Sequence, residues 1–278
     1  MKALVNKVIN FSNVDGPSTR MAIFLQGCNF NCWFCHNPET INRCINCGAC
    51  VKTCPTGALK IVNGKVTWND KLCVTCDTCL KTCKNNSSPR TKEMSVNDLL
   101  KLIKKAKPYI AGITVSGGEC TLQAPFLREL FKEVKKLGLT TFLDSNGSYN
   151  YKDDKELMAV TDKVMLDVKA YDHSFHNDLC TYDNTIVLEN LHYLLKEDKL
   201  YEVRTIIFPG FDKENSETVK NVSKVIKDAC RYKIIRYRPF GVRDKYLKLI
   251  SSNETSMEEA EKYVRLAKRN GAKSAFVV

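Results

Sequence analysis

The stretch Gly27-Cys28-Asn29-Phe30-Asn31-Cys32-Trp33-Phe34-Cys35-His36 decides how the rest of the chain is read. Three cysteines stand here at Cys-x3-Cys-x2-Cys spacing. Thiolates gathered this closely make a soft-metal site, and an iron–sulfur cluster is their commonest use. Structural zinc wants four ligands, so a run of three suits it poorly. A 4Fe–4S cube has four irons, and Cys28, Cys32 and Cys35 would leave one of them without a protein ligand. An open iron can hold a substrate, whereas a closed site moves electrons or holds a fold.

Working outward, Met21-Ala22-Ile23-Phe24-Leu25 is a compact apolar run that predicts a buried strand. It delivers Cys28 onto the loop at its C-terminal end, where barrel folds place their chemistry. Before it, Lys2 to Phe11 predicts a leading strand, and Asn13 to Arg20 has turn chemistry throughout. Beyond residue 90 strands and helices alternate. Strands are expected at Gly112–Ser116, Thr140–Asp144, Lys163–Lys169, Glu202–Phe208 and Lys233–Arg238, with a short last one at Ser274–Val278. Helices are expected from the cap Ser95 to near Pro108, and at Ala124–Leu137, Asp154–Val160, Thr185–Lys196, Asn215–Cys230 and Ser256–Arg269. Such alternation makes a parallel sheet. Six β/α units fall about two short of a closed eight-stranded barrel. The expected fold is α/β, a partial (β/α)6 TIM-like barrel open on one side.

Residues 40–90 interrupt this pattern. Cys44, Cys47, Cys50 and Cys54, followed by Pro55, give Cys-x2-Cys-x2-Cys-x3-Cys-Pro, and Cys73, Cys76, Cys79 and Cys83 repeat the spacing. The duplication resembles the bacterial two-cluster ferredoxin, in which the fourth cysteine of each run ligates the other cluster. That resemblance implies one 4Fe–4S cluster on Cys44, Cys47, Cys50 and Cys83 and a second on Cys73, Cys76, Cys79 and Cys54. Lys84 stands where the pattern has a second proline. The chain thus divides into residues 1–39 (start of the barrel with the cluster loop), 40–90 (an inserted ferredoxin-like domain) and 91–278 (the rest of the barrel).

The chain has 278 residues and 14 cysteines, of which eleven lie between Cys28 and Cys83. The amino terminus lacks a long apolar core, and no apolar run approaches the roughly 20 residues of a membrane span. These features point to a cytoplasmic, anaerobic protein whose cysteines bind metal rather than form disulfides. The formal charge is +12, but its lysines are scattered without a long block. That pattern describes a solvated surface, or one that meets an acidic protein, and argues against nucleic acid as partner.

The cysteine loop resembles the signature of the radical S-adenosylmethionine enzymes, in which the open iron chelates the methionine amino and carboxylate groups. Together with the strand ends, it resembles the activating enzymes of glycyl radical enzymes, of the pyruvate formate-lyase activating type. Its phrasing around Val14-Asp15-Gly16, Cys35-His36-Asn37-Pro38 and Ser116 to Gln123 is most similar to the YjjW group. The resemblance implies reductive cleavage of S-adenosylmethionine to a 5′-deoxyadenosyl radical, which takes a hydrogen atom from a glycine of a partner enzyme. It implies that Gly117, Gly118 and Glu119 bind the methionine amino group, although Cys120 stands where the family has proline. It implies that Phe34 and backbone at His36 meet adenine, that Lys169 contacts the cofactor, and that Arg204 lies near the ribose. Asp144, Ser145, Met165 and Asp167 would surround a monovalent cation beside the methionine carboxylate, through carboxylate and carbonyl oxygens, which suit a hard ion. Asp15 matches the aspartate that engages the partner's glycine loop, with Ser18 in place of a glycine. The histidine that often follows the Pro-Tyr of the sixth strand is replaced by Gly241. The full expectation is three 4Fe–4S clusters and S-adenosylmethionine, a cognate glycyl radical enzyme as substrate, flavodoxin or ferredoxin as electron donor, and a monomer when free. Two rivals remain: another radical enzyme with auxiliary clusters, modifying peptide or RNA, and an iron–sulfur electron-transfer module.

Overall fold

A computed structural model describes all 278 residues. The chain opens with β1 (Lys2–Ser12) and β2 (Arg20–Leu25), an antiparallel pair. It then leaves the sheet for α1 (Ala49–Thr53), the hairpin β3 (Leu59–Val62) and β4 (Lys65–Trp68), and α2 (Thr78–Thr82). β5 (Lys92–Ser95) returns antiparallel to β1. There follow α3 (Val96–Ala106), β6 (Gly112–Gly117), α4 (Ala124–Lys136), β7 (Thr140–Ser145), α5 (Lys155–Val160) and β8 (Lys163–Asp167). Next come α6 (His173–Cys180), α7 (Thr185–Lys196), β9 (Leu200–Ile207), α8 (Asp212–Ile226), β10 (Arg231–Arg236), α9 (Asp244–Leu247), α10 (Met257–Arg269) and β11 (Ala275–Val277).

The main sheet has nine strands in the order β11-β10-β9-β8-β7-β6-β2-β1-β5. From β2 across to β11 every neighbouring pair is parallel. The sheet does not close, since β11 and β5 are its edges. Successive strand residues point to opposite faces, and here the two faces differ in kind. On one face Ile113, Val115, Leu143, Val164, Leu166 and Val203 are fully buried in the main core. The alternate residues Thr114, Ser116, Asp144, Asp167 and Arg204 are polar or charged and form the inner face. The helices that cover the apolar side are started by side chains. Ser95 and Asp98 form a capping box at α3, and Ser256 accepts from Glu259 N at α10.

The α/β alternation and the mostly parallel sheet follow the reading of the sequence, and the helix predicted at Thr185–Lys196 has those bounds. Several elements differ. The leading strand runs on to Ser12 and pairs antiparallel, and β5 adds a second antiparallel strand outside it. α6 carries only a weak apolar stripe among His, Ser and Asn, so periodicity does not reveal it. α8 begins at Asp212 and stops at Ile226, where Lys227 turns to positive φ. The strands predicted to reach Lys169 and Arg238 end at Asp167 and Arg236, because ladder pairing stops there.

Inside residues 40–90 the two cysteine runs also repeat in conformation. Asn46 and Thr75 both have positive φ, as do Gly48 and Asp77, each pair 29 residues apart. Thr53 and Thr82 share a hydroxyl hydrogen bond of 3.1 Å between the halves. Asp77 occupies the left-handed position that glycine fills in the first half, and its carboxylate is held by Arg90 at 2.7 Å.

Candidate metal centre

The cysteine loop is fastened from three sides. Gly27 N donates to Thr40 O and Cys28 N to Ile41 O, at 2.8 and 2.9 Å. The C-terminal end of α6 supports its middle: Asn31 N donates to Cys180 O and Trp33 N to Leu179 O. From the far end of the chain, Arg243 donates to Asn31 Oδ1 at 2.6 Å and to Cys32 O at 2.9 Å. The end of β6 then presses on the loop. A Cβ on Gly117 would lie 2.1 Å from Leu25 O, and one on Gly118 would lie 2.3 Å from Gly27 O. Both glycines are therefore required for backbone to meet backbone, and both also border the hollow above the thiols.

That hollow has a volume of about 220 Å³. Cys28, Cys32 and Cys35 form one wall, while Ser116, Asp144, Ser145, Asn146, Asp167, Lys169 and Arg204 stand around the rest. No other cysteine borders it. Cys180 hydrogen-bonds Cys32 from outside the hollow. His36 does border it, with its Nε2 donating to Arg238 O at 3.0 Å. Burial, with Glu119 adding, pushes the Cys28 thiol up to about 12, and burial pushes Cys35 up to about 11. Cys32 is lowered instead by its contact with Cys180, and metal binding releases the protons of all such thiols.

The ionic side chains are paired. Arg204 donates to Asp144 Oδ1 at 2.8 Å and to Glu202 Oε1 at 2.7 Å, and its Nη2 lies 3.0 Å from Met165 Sδ. Burial opposes its charge, but Asp144, Asp167 and Glu202 outweigh that and raise its pKa. Lys169 donates to Asp167 at 2.8 Å and stands 5.4 Å from the Phe34 ring centre. Burial again opposes the charge, and Asp167 with the Cys32 thiol outweighs it. Burial raises Asp144 despite Arg204. No three His, Cys, Asp or Glu side chains in the molecule converge closely enough to grip a single ion.

Glu119 departs from the sequence expectation. It is 1% exposed and does not border the hollow. Its carboxylate accepts from Thr121 N and Oγ1, Ser145 Oγ and Asn146 N, so it ties the end of β6 to the loop after β7. Four donors explain how a carboxylate survives there. Ser145 is likewise committed to Glu119 and Gly147 N. Phe34 borders the hollow and also packs on Phe208, with centroids 5.0 Å apart. Asp15 does not border the hollow, but it lies on the inner face beside mid-strand Thr114, and its charge acts on Asp144. It accepts from Ser12 Oγ, while its carbonyl accepts from Thr114 Oγ1. Cys120 is fully buried packing, as expected. Gly241 is pressed on the cysteine loop: a Cβ would lie 2.4 Å from His36 O, so no side chain fits there. Arg243, Asn146 and Cys180 were not legible as site residues, because nothing local in the sequence marks them.

In the insert the eight cysteines surround two separate cavities. One is bordered by Cys44, Cys47, Cys50 and Cys83, and the other by Cys54, Cys73, Cys76 and Cys79. Each run contributes its last cysteine to the other run's cavity.

Three thiols facing ion-paired polar side chains at the C-terminal ends of parallel strands suit a metal cluster that shares its open position with a charged small molecule. The chain belongs to the radical SAM superfamily, whose family model matches residues 22–226. It is 30% identical over 249 residues to the pyruvate formate-lyase-activating enzyme of Streptococcus mutans, covering 86% of this chain and 78% of that one. It is 31% identical over 260 residues to the (2S)-3-sulfopropanediol sulfolyase activating enzyme of Bilophila wadsworthia, covering 86% of each. In fold it is similar to Streptococcus suis SuiB bound to its precursor peptide SuiA, with a TM-score of 0.59 at 11% identity, over 91% of this chain and 47% of that one.

Proposed function

We propose that the protein is an activase that takes a hydrogen atom from a glycine of a partner glycyl radical enzyme. The observation that carries this reading is the three-thiol wall with no fourth cysteine, set against ionic groups suited to an amino acid's termini. Relatives named as activating enzymes over most of the chain support it. A 4Fe–4S cluster on Cys28, Cys32 and Cys35 would supply one-electron cleavage of S-adenosylmethionine to the 5′-deoxyadenosyl radical.

The chain's own residues bind, orient and exclude water. Backbone at Gly117 and Gly118 borders the hollow where the methionine ammonium would lie, with Glu119 holding that wall in shape. Arg204 and Lys169 are charged and positioned for a carboxylate and ribose hydroxyls. The resemblance assigns a monovalent cation to Asp144, Ser145, Met165 and Asp167. With Arg204 seated between Asp144 and Met165, and Ser145 turned to Glu119, we infer that the guanidinium supplies that positive charge. Phe34 and Trp33 with Tyr246 keep the loop's apolar side dry.

The insert is read as ferredoxin-like, with two 4Fe–4S clusters on the two sets of four cysteines. They relay electrons inward from a flavodoxin or ferredoxin. Ile41, whose carbonyl holds Cys28 N, is three residues from Cys44, so the first set stands close to the radical site.

The test is anaerobic. Reduced, reconstituted protein with S-adenosylmethionine and its glycyl radical enzyme should give 5′-deoxyadenosine together with a glycyl signal by electron paramagnetic resonance. Formation of 5′-deoxyadenosine without a glycyl signal would overturn the activase reading.

A further inference from the structure

A cavity of about 730 Å³ adjoins the thiol hollow but is a separate space, within the size range of ligand clefts. Its floor is the inner face of the sheet toward the open edge. There Phe24 on β2 stands in register with Ser116 on β6 to one side and Lys7 on β1 to the other. Its roof is the insert, through Trp68, Leu80 and the Asp77–Arg90 pair. One end opens on Ser116, Gly117 and Asp144, which border both spaces. Whatever lies along this cavity has its inner end beside the radical-generating site.

The cavity is also chemically selective. Most of its lining residues are polar, and two of its ionic groups, Lys7 and Glu39, form no ion pair. Asp77 is held by Arg90, and Asp144 by Arg204. Glu39 is half-buried in the same wall, with no lysine or arginine at ion-pair distance. Burial raises its pKa, and the nearby Asp77 adds to this against Arg90. A half-buried carboxylate without a cation is costly unless an incoming group supplies one.

We propose that this cavity is where the partner's glycine-bearing loop lies, that the insert forms its outer wall, and that Glu39 receives a basic side chain of that loop. This rests on the activase reading and gives the insert a recognition role besides any electron relay. The reacting step is a single atom transfer. One glycine Cα–H bond breaks homolytically, one C–H bond forms at C5′ of the 5′-deoxyadenosyl radical, and the unpaired electron remains on glycine.

The probe is a pair of capped seven-residue peptides centred on dideuterated glycine, one flanked by lysines and the other by glutamates. Each is incubated anaerobically with reconstituted holoenzyme, S-adenosylmethionine and dithionite as electron source. Mass spectrometry then reads deuterium in 5′-deoxyadenosine. The lysine peptide should transfer label about tenfold faster than the glutamate peptide, and Glu39→Lys should reverse that order. Ile9→Trp, which fills the cavity from β1, should slow transfer from both peptides about tenfold. Peptide-free cleavage of S-adenosylmethionine should stay within about twofold in both variants, which shows that they fold and load. Equal label transfer from the two peptides, unchanged in Glu39→Lys and Ile9→Trp, would overturn the groove and leave the activase reading standing. Absence of label from either peptide, while 5′-deoxyadenosine still forms, would remove both.

Discussion

The barrel and the insert both hold buried thiols, but only the insert leaves some of its thiols exposed. Cys28 and Cys35 are pushed up to about 12 and about 11 by burial, under a lid of aromatic side chains. In the insert burial likewise pushes Cys50 up to about 11 and raises Cys79, whereas Cys54, Cys73 and Cys76 are lowered. Backbone N–H groups and hydroxyls act on Cys54 and Cys76, the N–H of Thr75 with Trp68 acts on Cys73, and Cys47 and Cys76 are exposed. Both regions present cysteines at cluster spacing. The barrel surrounds its thiols with several ion pairs and a dry wall, as radical chemistry demands, and the insert, with the Asp77–Arg90 pair beside its second set, leaves Cys47 and Cys76 near solvent, where an electron can enter.

The sharpest way to break this contrast is to remove one thiol from each region. Cys32→Ala should abolish dithionite-driven cleavage of S-adenosylmethionine by more than about 1,000-fold. Cys47→Ala should leave that cleavage within about tenfold, because a small reductant reaches the barrel directly. Product counting by liquid chromatography checks both, and equal losses would erase the distinction. Backbone packing supplies a second pair. Gly118→Ala forces a Cβ to 2.3 Å from Gly27 O and should cost about 3 kcal/mol with loss of bound iron. Gly57→Ala in the insert has positive φ but nothing within 4 Å, and should cost about 1 kcal/mol in the same denaturation assay.

His176 sharpens the comparison through pH. It is buried beneath the cysteine loop against Phe30; its Nδ1 donates to Tyr182 O, and its Nε2 has no partner. Burial lowers its pKa to about 4 from an ordinary 6.5, so the folded ring stays neutral while the unfolded ring protonates. Its contribution is present above pH 6.5 and is lost as pH falls toward 4, about 3 kcal/mol in all. The stability difference between wild type and His176→Gln, measured by denaturation at pH 7 and pH 4, should shrink by about that amount. A difference that does not change with pH would place a charged ring under the loop. The smallest expected effect is in the insert: Asp77→Gly relieves a left-handed aspartate and loses a half-exposed ion pair, for a net gain below about 1 kcal/mol.

Much of the molecule could be read from local pattern, and the exceptions share a cause. Cysteine spacing is local chemistry, so the three-cysteine loop was open to reading, whereas the division of the other eight into two sets was implied by the resemblance to a two-cluster ferredoxin. The strands of the parallel sheet were legible because each is a short apolar run between helical stretches. What stayed hidden depends on contacts between distant residues. Arg243 clamps Asn31 and Cys32 from more than 200 positions away, and Gly241 is a glycine because His36 O occupies the space of its Cβ. Glu119 illustrates a subtler limit. Its place after Gly117-Gly118 identifies the motif, but only the turn it makes decides whether its carboxylate meets a ligand or ties two loops together. α6 and β5 were missed because their stability comes from docking on the cysteine loop and on β1, and their own composition shows little of it.

The central claim is that the cluster on Cys28, Cys32 and Cys35 offers one iron to a small molecule. Electron–nuclear double resonance of the reduced, reconstituted protein with S-adenosylmethionine labelled with 15N at the methionine amino group and 13C at its carboxylate tests this most directly. The account predicts nitrogen and carboxylate couplings from direct contact with iron, present in wild type and absent in Cys32→Ala. A reduced barrel cluster that shows neither coupling in the presence of saturating cofactor would contradict it.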